Sequence, residues 1–141
     1  MREILFRGKR LDNGLWTYGV PLYDSKESKS YIIQYANFTS ILSHCFYEEI
    51  HNISELFSPE VDSNTIGQYI GVRDKNGERI FEGDILNYNV EKAVVHFDTS
   101  INIPCFTTGI GKGSSTPAHP YKISSKDKVI GNIYDNPDFN E

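Results

Sequence analysis

The chain has 141 residues and a formal net charge of −5, and 38% of its residues are hydrophobic. This length fits one domain, or one domain with a small subdomain, and it allows folding without a metal or a disulfide. The acidic balance disfavours binding to duplex DNA through its phosphates, and no apolar run approaches the roughly 20 residues that span a bilayer. We therefore expect a cytoplasmic protein without membrane contact, in which Cys45 and Cys105 are free thiols.

The composition favours β structure from the start of the chain. There are 9 Tyr and 8 Phe against a single Met, and aromatic residues fit a half-buried sheet. Residues 3–23 predict a β-hairpin with its turn at Asp12-Asn13-Gly14, because Asn-Gly between alternating segments is a strong hairpin signal. Trp16, Tyr18 and Val20 alternate along the return strand.

The one basic cluster lies at the start of the chain and consists of Arg2, Arg7, Lys9 and Arg10. It leaves binding to single-stranded DNA or to a DNA end open as an alternative that is not favoured. A polar loop then precedes a strand predicted at 31–35. Within 38–57, apolar residues recur at intervals of three and four up to Ser58-Pro59, which predicts one short amphipathic helix.

A second hairpin, with its turn at 74–77, is predicted over residues 65–86. Six residues there are expected to form a compact structural hinge: Gly67, Gly71, Asp74, Asn76, Gly77 and Gly83. Glycine permits positive φ, and an Asp or Asn side chain can form a hydrogen bond with the nearby backbone. Gln68 and Tyr69 have no turn role, so they are the predicted partner-contact residues. The alternative is that Tyr69 only packs against Phe81.

The rest of the chain adds a strand at 93–98, a long polar loop over 107–120 and a strand at 129–134. With those above, the predicted strands are 3–8, 15–21, 31–35, 66–72, 79–87, 93–98 and 129–134. The residues expected to be mostly buried are Ile4, Phe6, Trp16, Ile70, Ile80, Ile85, Val95, Phe97 and Ile133.

No familiar catalytic or cofactor motif stands out. The segment from Gly109 to Ser114 resembles a P-loop, but Lys112 is followed by Gly113 rather than Ser or Thr, and no glycine occupies the required upstream position. The histidines and cysteines lack the close Cys-x-x-Cys or His-Glu-x-x-His spacing of a zinc site. We therefore predict no cofactor, no metal and no catalytic residue that can be singled out.

Three stretches together resemble the YopX-type family of bacteriophage and prophage proteins: REILFRGKRLDNGLWTYGV at 2–20, VDSNTIGQYIGVRDKNGERIFEGDIL at 61–86, and VIGNIYDNP at 129–137. The resemblance implies a phage or prophage origin and an SH3-like small β-barrel in the C-terminal half. It implies no established activity. The expected fold is mainly β (β-dominated α+β), with an N-terminal hairpin and helix subdomain at 1–62 and the barrel at 63–141, or both in one compact domain.

Three kinds of function remain open. The favoured one is a non-enzymatic binding or assembly protein that acts in the bacterial host cell through protein–protein contacts, most simply self-association. Nucleic-acid binding is a further alternative. The enzymatic alternative is a hydrolase with an unrecognised site, which would use His96 or His119 with Asp84 or Asp98.

Overall fold

The computed structural model describes residues 3–34, 58–88, 91–98, 105–110, 123 and 126–140. The strands are β1 (Phe6–Arg10), β2 (Trp16–Asp24), β3 (Lys29–Ile33), β4 (Glu60–Arg73), β5 (Arg79–Phe81), β6 (Asp84–Tyr88), β7 (Glu91–Asp98), β8 (Cys105–Ile110) and β9 (Lys128–Asn132), followed by a 3-10 helix at Pro137–Asn140. They fall into an N-terminal unit, Ile4–Gln68, and a C-terminal unit, Tyr69–Glu141 with Met1–Glu3.

The N-terminal unit is a closed ring of four antiparallel strands. β1 pairs with β2 and with β4, and β3 also pairs with β2 and with β4. Ile32 and Val61, 0% and 2% exposed, fill the inside of the ring beside Gly8, whose missing Cβ would lie 3.1 Å from the Val61 side chain. Burial of these aliphatic side chains is what makes closure of so small a ring favourable.

Two side-chain turns set the register of the ring. In the β1–β2 turn, Asn13 accepts a hydrogen bond from the Leu15 amide, and Gly14 has a φ of 68°. In the β2–β3 turn, the carboxylate of Asp24 accepts a hydrogen bond from the Lys26 amide. Each is an Asx turn, in which a short polar side chain imitates the backbone.

A bulge in β4 lets this strand bend around the ring. Arg7 and Lys9 of β1 lie opposite Gly67 and Asp62, so five steps along β4 match two steps along β1. The Thr65 hydroxyl compensates the interrupted ladder, because it accepts a hydrogen bond from the Lys9 amide and donates one to the Asp62 carbonyl. Such a bulge increases the local bend of a strand.

The C-terminal unit contains a four-stranded antiparallel sheet in the order β8-β7-β6-β9, and β5 pairs with the end of β4. Four aliphatic residues form its described core, and three partly buried ones pack against them: Ile70, Ile80, Leu86 and Val95, with Val72, Ile123 and Val129. No helix within the described ranges is long and apolar enough to cross a membrane.

The prediction of a β-dominated chain with a small barrel is confirmed. The closed ring that the structure shows is built from the N-terminal unit, whereas an SH3-like barrel over 63–141, and the boundary at 62, stay predictions. The predicted helix within 38–57 lies outside the described residues. The burial expected for Ile4 and Phe97 is wrong: they are 61% and 47% exposed, because Leu5 fills the inward position next to Ile4 and Phe97 lies beyond Val95 towards the strand end.

Ring closure depends on glycine at position 19. A Cβ there would lie 2.0 Å from the Ile33 carbonyl oxygen on β3, a backbone atom that cannot move aside cheaply. We expect Gly19→Ala to lower the free energy of unfolding of this unit by about 3 kcal/mol through overpacking. Urea titration followed by the fluorescence of Trp16, the only Trp of the chain, measures this.

Gly14→Ala is the matched control, because a Cβ at Gly14 meets nothing within 4 Å and only the positive φ is strained. That variant is expected to lose about 1 kcal/mol. If the two variants unfold at the same urea concentration, the close approach at Gly19 does not limit the ring.

Candidate functional site

The outer surface of β1 and β2 collects aromatic and cationic side chains. In β2, Thr17 and Gly19 are buried, so the alternate residues point away from the ring. The register places Lys9 opposite Trp16 and Arg7 opposite Tyr18. We call the resulting surface the aromatic face: Arg7, Lys9, Trp16, Tyr18 and Val20.

Two cations hold the Trp16 ring in place on this face. The guanidinium carbon of Arg7 lies 4.4 Å from the centre of the indole ring, and the ammonium nitrogen of Lys9 lies 5.9 Å from it. Arg7 is only 6% exposed, so its alkyl stem and guanidinium are packed against the protein surface. A desolvated cation–π contact contributes up to about 2 kcal/mol, enough to keep the indole in one orientation.

Beside the stacked indole, the aromatic face is open to solvent. Tyr18 is 46% exposed and Val20 is 38% exposed, while Trp16 is half-buried. Trp, Tyr and Arg are the side chains enriched in the parts of protein interfaces that contribute most binding energy. The face therefore combines a fixed, partly desolvated centre with an accessible apolar margin.

The predicted contact pair, Gln68 and Tyr69, does not form one surface. Gln68 lies opposite Phe6 in the β1–β4 ladder, and the next residue along a strand points to the other face. Tyr69 is 5% exposed, with its ring centre 5.8 Å from that of Phe81, and the guanidinium of Arg79 lies 6.0 Å from the Tyr69 ring. Partner contact by this pair stays a prediction.

The residues predicted for the hinge have the following positions. Gly71, Gly77 and Gly83 have φ values of 87°, 84° and 80°. Gly71 lies where the β4–β5 register shifts between Tyr69 and Arg73. Gly67 lies inside β4 opposite Arg7, and no positive φ is found there.

Asp74 is the centre of the turn between β4 and β5. Its carboxylate accepts hydrogen bonds from the amides of Asn76 at 2.7 Å, Glu78 at 2.9 Å and Val129 at 3.1 Å. The first two bonds close the turn, and the third ties it to β9. Burial, the largest single effect, would raise the pKa of Asp74, but the three amide hydrogen bonds together with the Lys128 charge lower the pKa below its usual value.

Replacing Asp74 by Asn should destabilise the C-terminal unit by about 2 kcal/mol, because a neutral amide accepts these bonds more weakly. Since the folded-state pKa of Asp74 is lowered, its contribution is complete above the unfolded pKa of about 4 and is lost as the pH falls through the folded value. The gap in unfolding free energy between wild type and variant should therefore shrink below about pH 4.

Urea unfolding between pH 3 and pH 7, monitored by circular dichroism, checks this. Glu78→Gln is the control: it removes an exposed carboxylate from the same turn and keeps the Glu78 amide that bonds to Asp74. A gap that stays constant down to pH 3 would contradict the role given to the Asp74 charge.

The residues considered for chemistry have the following positions. Asp84 is 1% exposed, and its carboxylate accepts a hydrogen bond from the Phe81 amide. This hydrogen bond stabilises the turn between β5 and β6. Nδ1 of His96 lies 3.5 Å from the Val94 carbonyl oxygen. Gly109 belongs to β8 opposite Val94, while His119 and the segment 111–114 lie outside the described residues. Within the described ranges, no three His, Cys, Asp or Glu side chains are arranged to hold a metal ion.

The sequence shows the aromatic and the basic residues of the aromatic face, but it does not show that they lie side by side. The alternation of Trp16, Tyr18 and Val20 and the basic cluster of the hairpin are both visible in the sequence. The stacking of Arg7 on Trp16 depends on the β1–β2 register. A count outward from the Asn-Gly turn could have supplied that register.

The family assignment rests on almost the whole chain. The model of the family described as YopX protein matches residues 5–139. The chain belongs to the YopX protein family. That range includes both units, so the membership covers the ring and the C-terminal sheet alike.

Other comparisons give the fold and no activity. The crystal structure of protein EF1440 from Enterococcus faecalis matches with a TM-score of 0.50 and 20% sequence identity, and the match covers 100% of each chain. Identity this low supports a shared fold alone. No curated protein sequence gives a significant match.

Proposed function

We propose that this YopX-family chain is a non-enzymatic binding protein that acts in a phage or prophage programme inside the bacterial cell. Its contact surface is the aromatic face, and the simplest partner is a second copy of the same chain. The observation that carries the proposal is the Trp16 ring held by Arg7 beside exposed Tyr18 and Val20.

Side-chain order supports a role in binding. Tyr and Trp have few rotatable bonds, and the cation–π contact has already restricted Trp16 before any partner arrives. Fewer side chains then lose conformational freedom on association. The entropy lost when side chains become ordered is the cost that a preorganised interface avoids.

Charge supports self-association in particular. The chain carries a net charge of −5, yet the aromatic face brings together two cations, Arg7 and Lys9, next to apolar side chains. The surface of a second copy is on average negative, so it is attracted to this face. Complementary charge of this kind speeds association and selects orientation.

A double substitution on the open margin of the face tests the proposal. Tyr18→Thr with Val20→Thr places side chains that favour strands at both positions of β2 but removes most of the exposed apolar area. We expect the wild type to self-associate in sedimentation velocity runs between about 1 and 500 μM, and the double variant to do so at least roughly 10-fold more weakly, which corresponds to about 1.4 kcal/mol.

Tyr23→Thr is the matched control, because Tyr23 is 61% exposed on the same strand but lies outside the aromatic face. It should sediment like the wild type. A wild type that stays monomeric throughout this range would defeat the self-association proposal. Binding of a fluorescent single-stranded oligonucleotide that the double variant loses would favour the nucleic-acid alternative instead.

A further inference from the structure

A cavity of about 620 Å³ lies on the N-terminal unit, against the strands β3 and β4. Its size is that of a small-molecule site. Strand register explains how its wall forms, since Tyr31 of β3 lies directly opposite Glu60 of β4. The Leu11 amide donates a hydrogen bond to the Glu60 carbonyl, which brings the end of the β1–β2 hairpin to the same place.

Tyr31 supplies a polar group that is held in the wall. The residue is 4% exposed, lines the cavity, and its hydroxyl has no hydrogen-bond partner among the described residues. Burial is the largest cause that raises the pKa of Tyr31; the Lys29 ammonium opposes it, and the carboxylates of Glu60 and Glu27 raise the pKa further. Tyr31 lies directly opposite Glu60 in the β3–β4 ladder, and because its pKa is raised, its phenol remains protonated at neutral pH.

The charges around the cavity leave one carboxylate uncompensated. Asp12 forms an ion pair with Arg10, and Glu27 forms one with Lys29 at 2.7 Å. Glu60 forms no ion pair within the described ranges, although its charge also acts on Lys29, whose pKa is raised mainly by Glu27 and further by Glu60. The lining holds three carboxylates and one ammonium group, so with Arg10 paired to Asp12 the charges around the cavity sum to −1. The Tyr31 side chain, the aliphatic side chain of Leu11 and the hydroxyl-bearing Ser58 complete the wall.

We propose that this cavity binds an alkylguanidinium group, with Glu60 and Tyr31 as the residues that recognise it. A guanidinium is planar and carries several N–H donors, so it can donate to the Glu60 carboxylate and to the neighbouring Tyr31 oxygen at once. The alkyl stem packs along Leu11. This site is separate from the aromatic face and does not depend on self-association.

The test compares two ligands that differ only in charge. N-acetyl-arginine methyl ester carries the guanidinium, and N-acetyl-citrulline methyl ester carries a neutral urea group of nearly the same shape. We expect the arginine ester to bind the full-length protein, as followed by two-dimensional NMR titration, and the citrulline ester to bind at least roughly 10-fold more weakly. Equal binding of both esters, or no binding of the arginine ester at 20-fold excess over about 0.5 mM protein, overturns the proposal.

Variants then test the two named residues. Glu60→Gln should weaken binding of the arginine ester at least roughly 10-fold, and Tyr31→Phe, which keeps the ring but removes the hydroxyl, about 5-fold. Glu78→Gln, an exposed carboxylate outside the cavity, should bind like the wild type. Unchanged binding in Glu60→Gln would place the site elsewhere.

A peptide arm identifies the source of the group. If the pentapeptide Gly-Gly-Arg-Gly-Gly binds as tightly as the ester, the cavity accepts an arginine side chain of another polypeptide. If only the ester binds, the ligand is a free small molecule. Each result supports the alkylguanidinium site, and the sedimentation behaviour of Glu60→Gln should equal that of wild type, which separates this proposal from self-association.

Discussion

Everything described in the N-terminal unit depends on the closure of β1 against both β2 and β4. A four-stranded ring encloses very little space, so the inward positions must hold either compact aliphatic side chains or none. Ile32 and Val61 fill the centre, and Gly8 lets them approach the backbone of β1. Once the ring is closed, the inward and outward positions of each strand are set, apart from the shift that the bulge introduces in β4.

The outward residues acquire their neighbours from the same constraint. The Asn13-Gly14 turn fixes the register of β1 with β2 within the closed ring, and this register brings Lys9 opposite Trp16. Closure fixes β3 with β4, which brings Tyr31 opposite Glu60. The aromatic face and the cavity are thus two consequences of one topology, on two different pairs of strands.

Much of this architecture can be predicted from local sequence, and the limits are physical. The Asn13-Gly14 turn, the strand parity of β2 and the glycine positions of the second hairpin are local properties, so pattern and turn chemistry identify them. Ring closure is a non-local property. The Thr65 bulge in β4, where a side chain replaces a ladder bond, has no reliable local signal, yet it sets which residues of β1 and β4 face each other.

The same distinction explains the outcome for single residues. Tyr69 looked available because no turn role applied to it, whereas its burial against Phe81 results from the pairing of β4 with β5. Glu60 and Tyr31 are 29 positions apart in sequence, so no spacing rule joins them. Their proximity follows only from the β3–β4 pairing.

Exposure separates the residues that the fold requires from those that it does not. Burial of Ile32, Val61 and the core residues of the C-terminal sheet lowers the free energy of the folded state, so stability alone accounts for their hydrophobic character. It does not account for Tyr18 at 46% exposed and Val20 at 38% exposed, which gain little from folding and add apolar surface in water. Single exposed apolar residues are ordinary, but here two lie side by side with an indole fixed by Arg7. Under the self-association proposed above, this apolar area would be removed from water by the partner, which burial within the ring does not do.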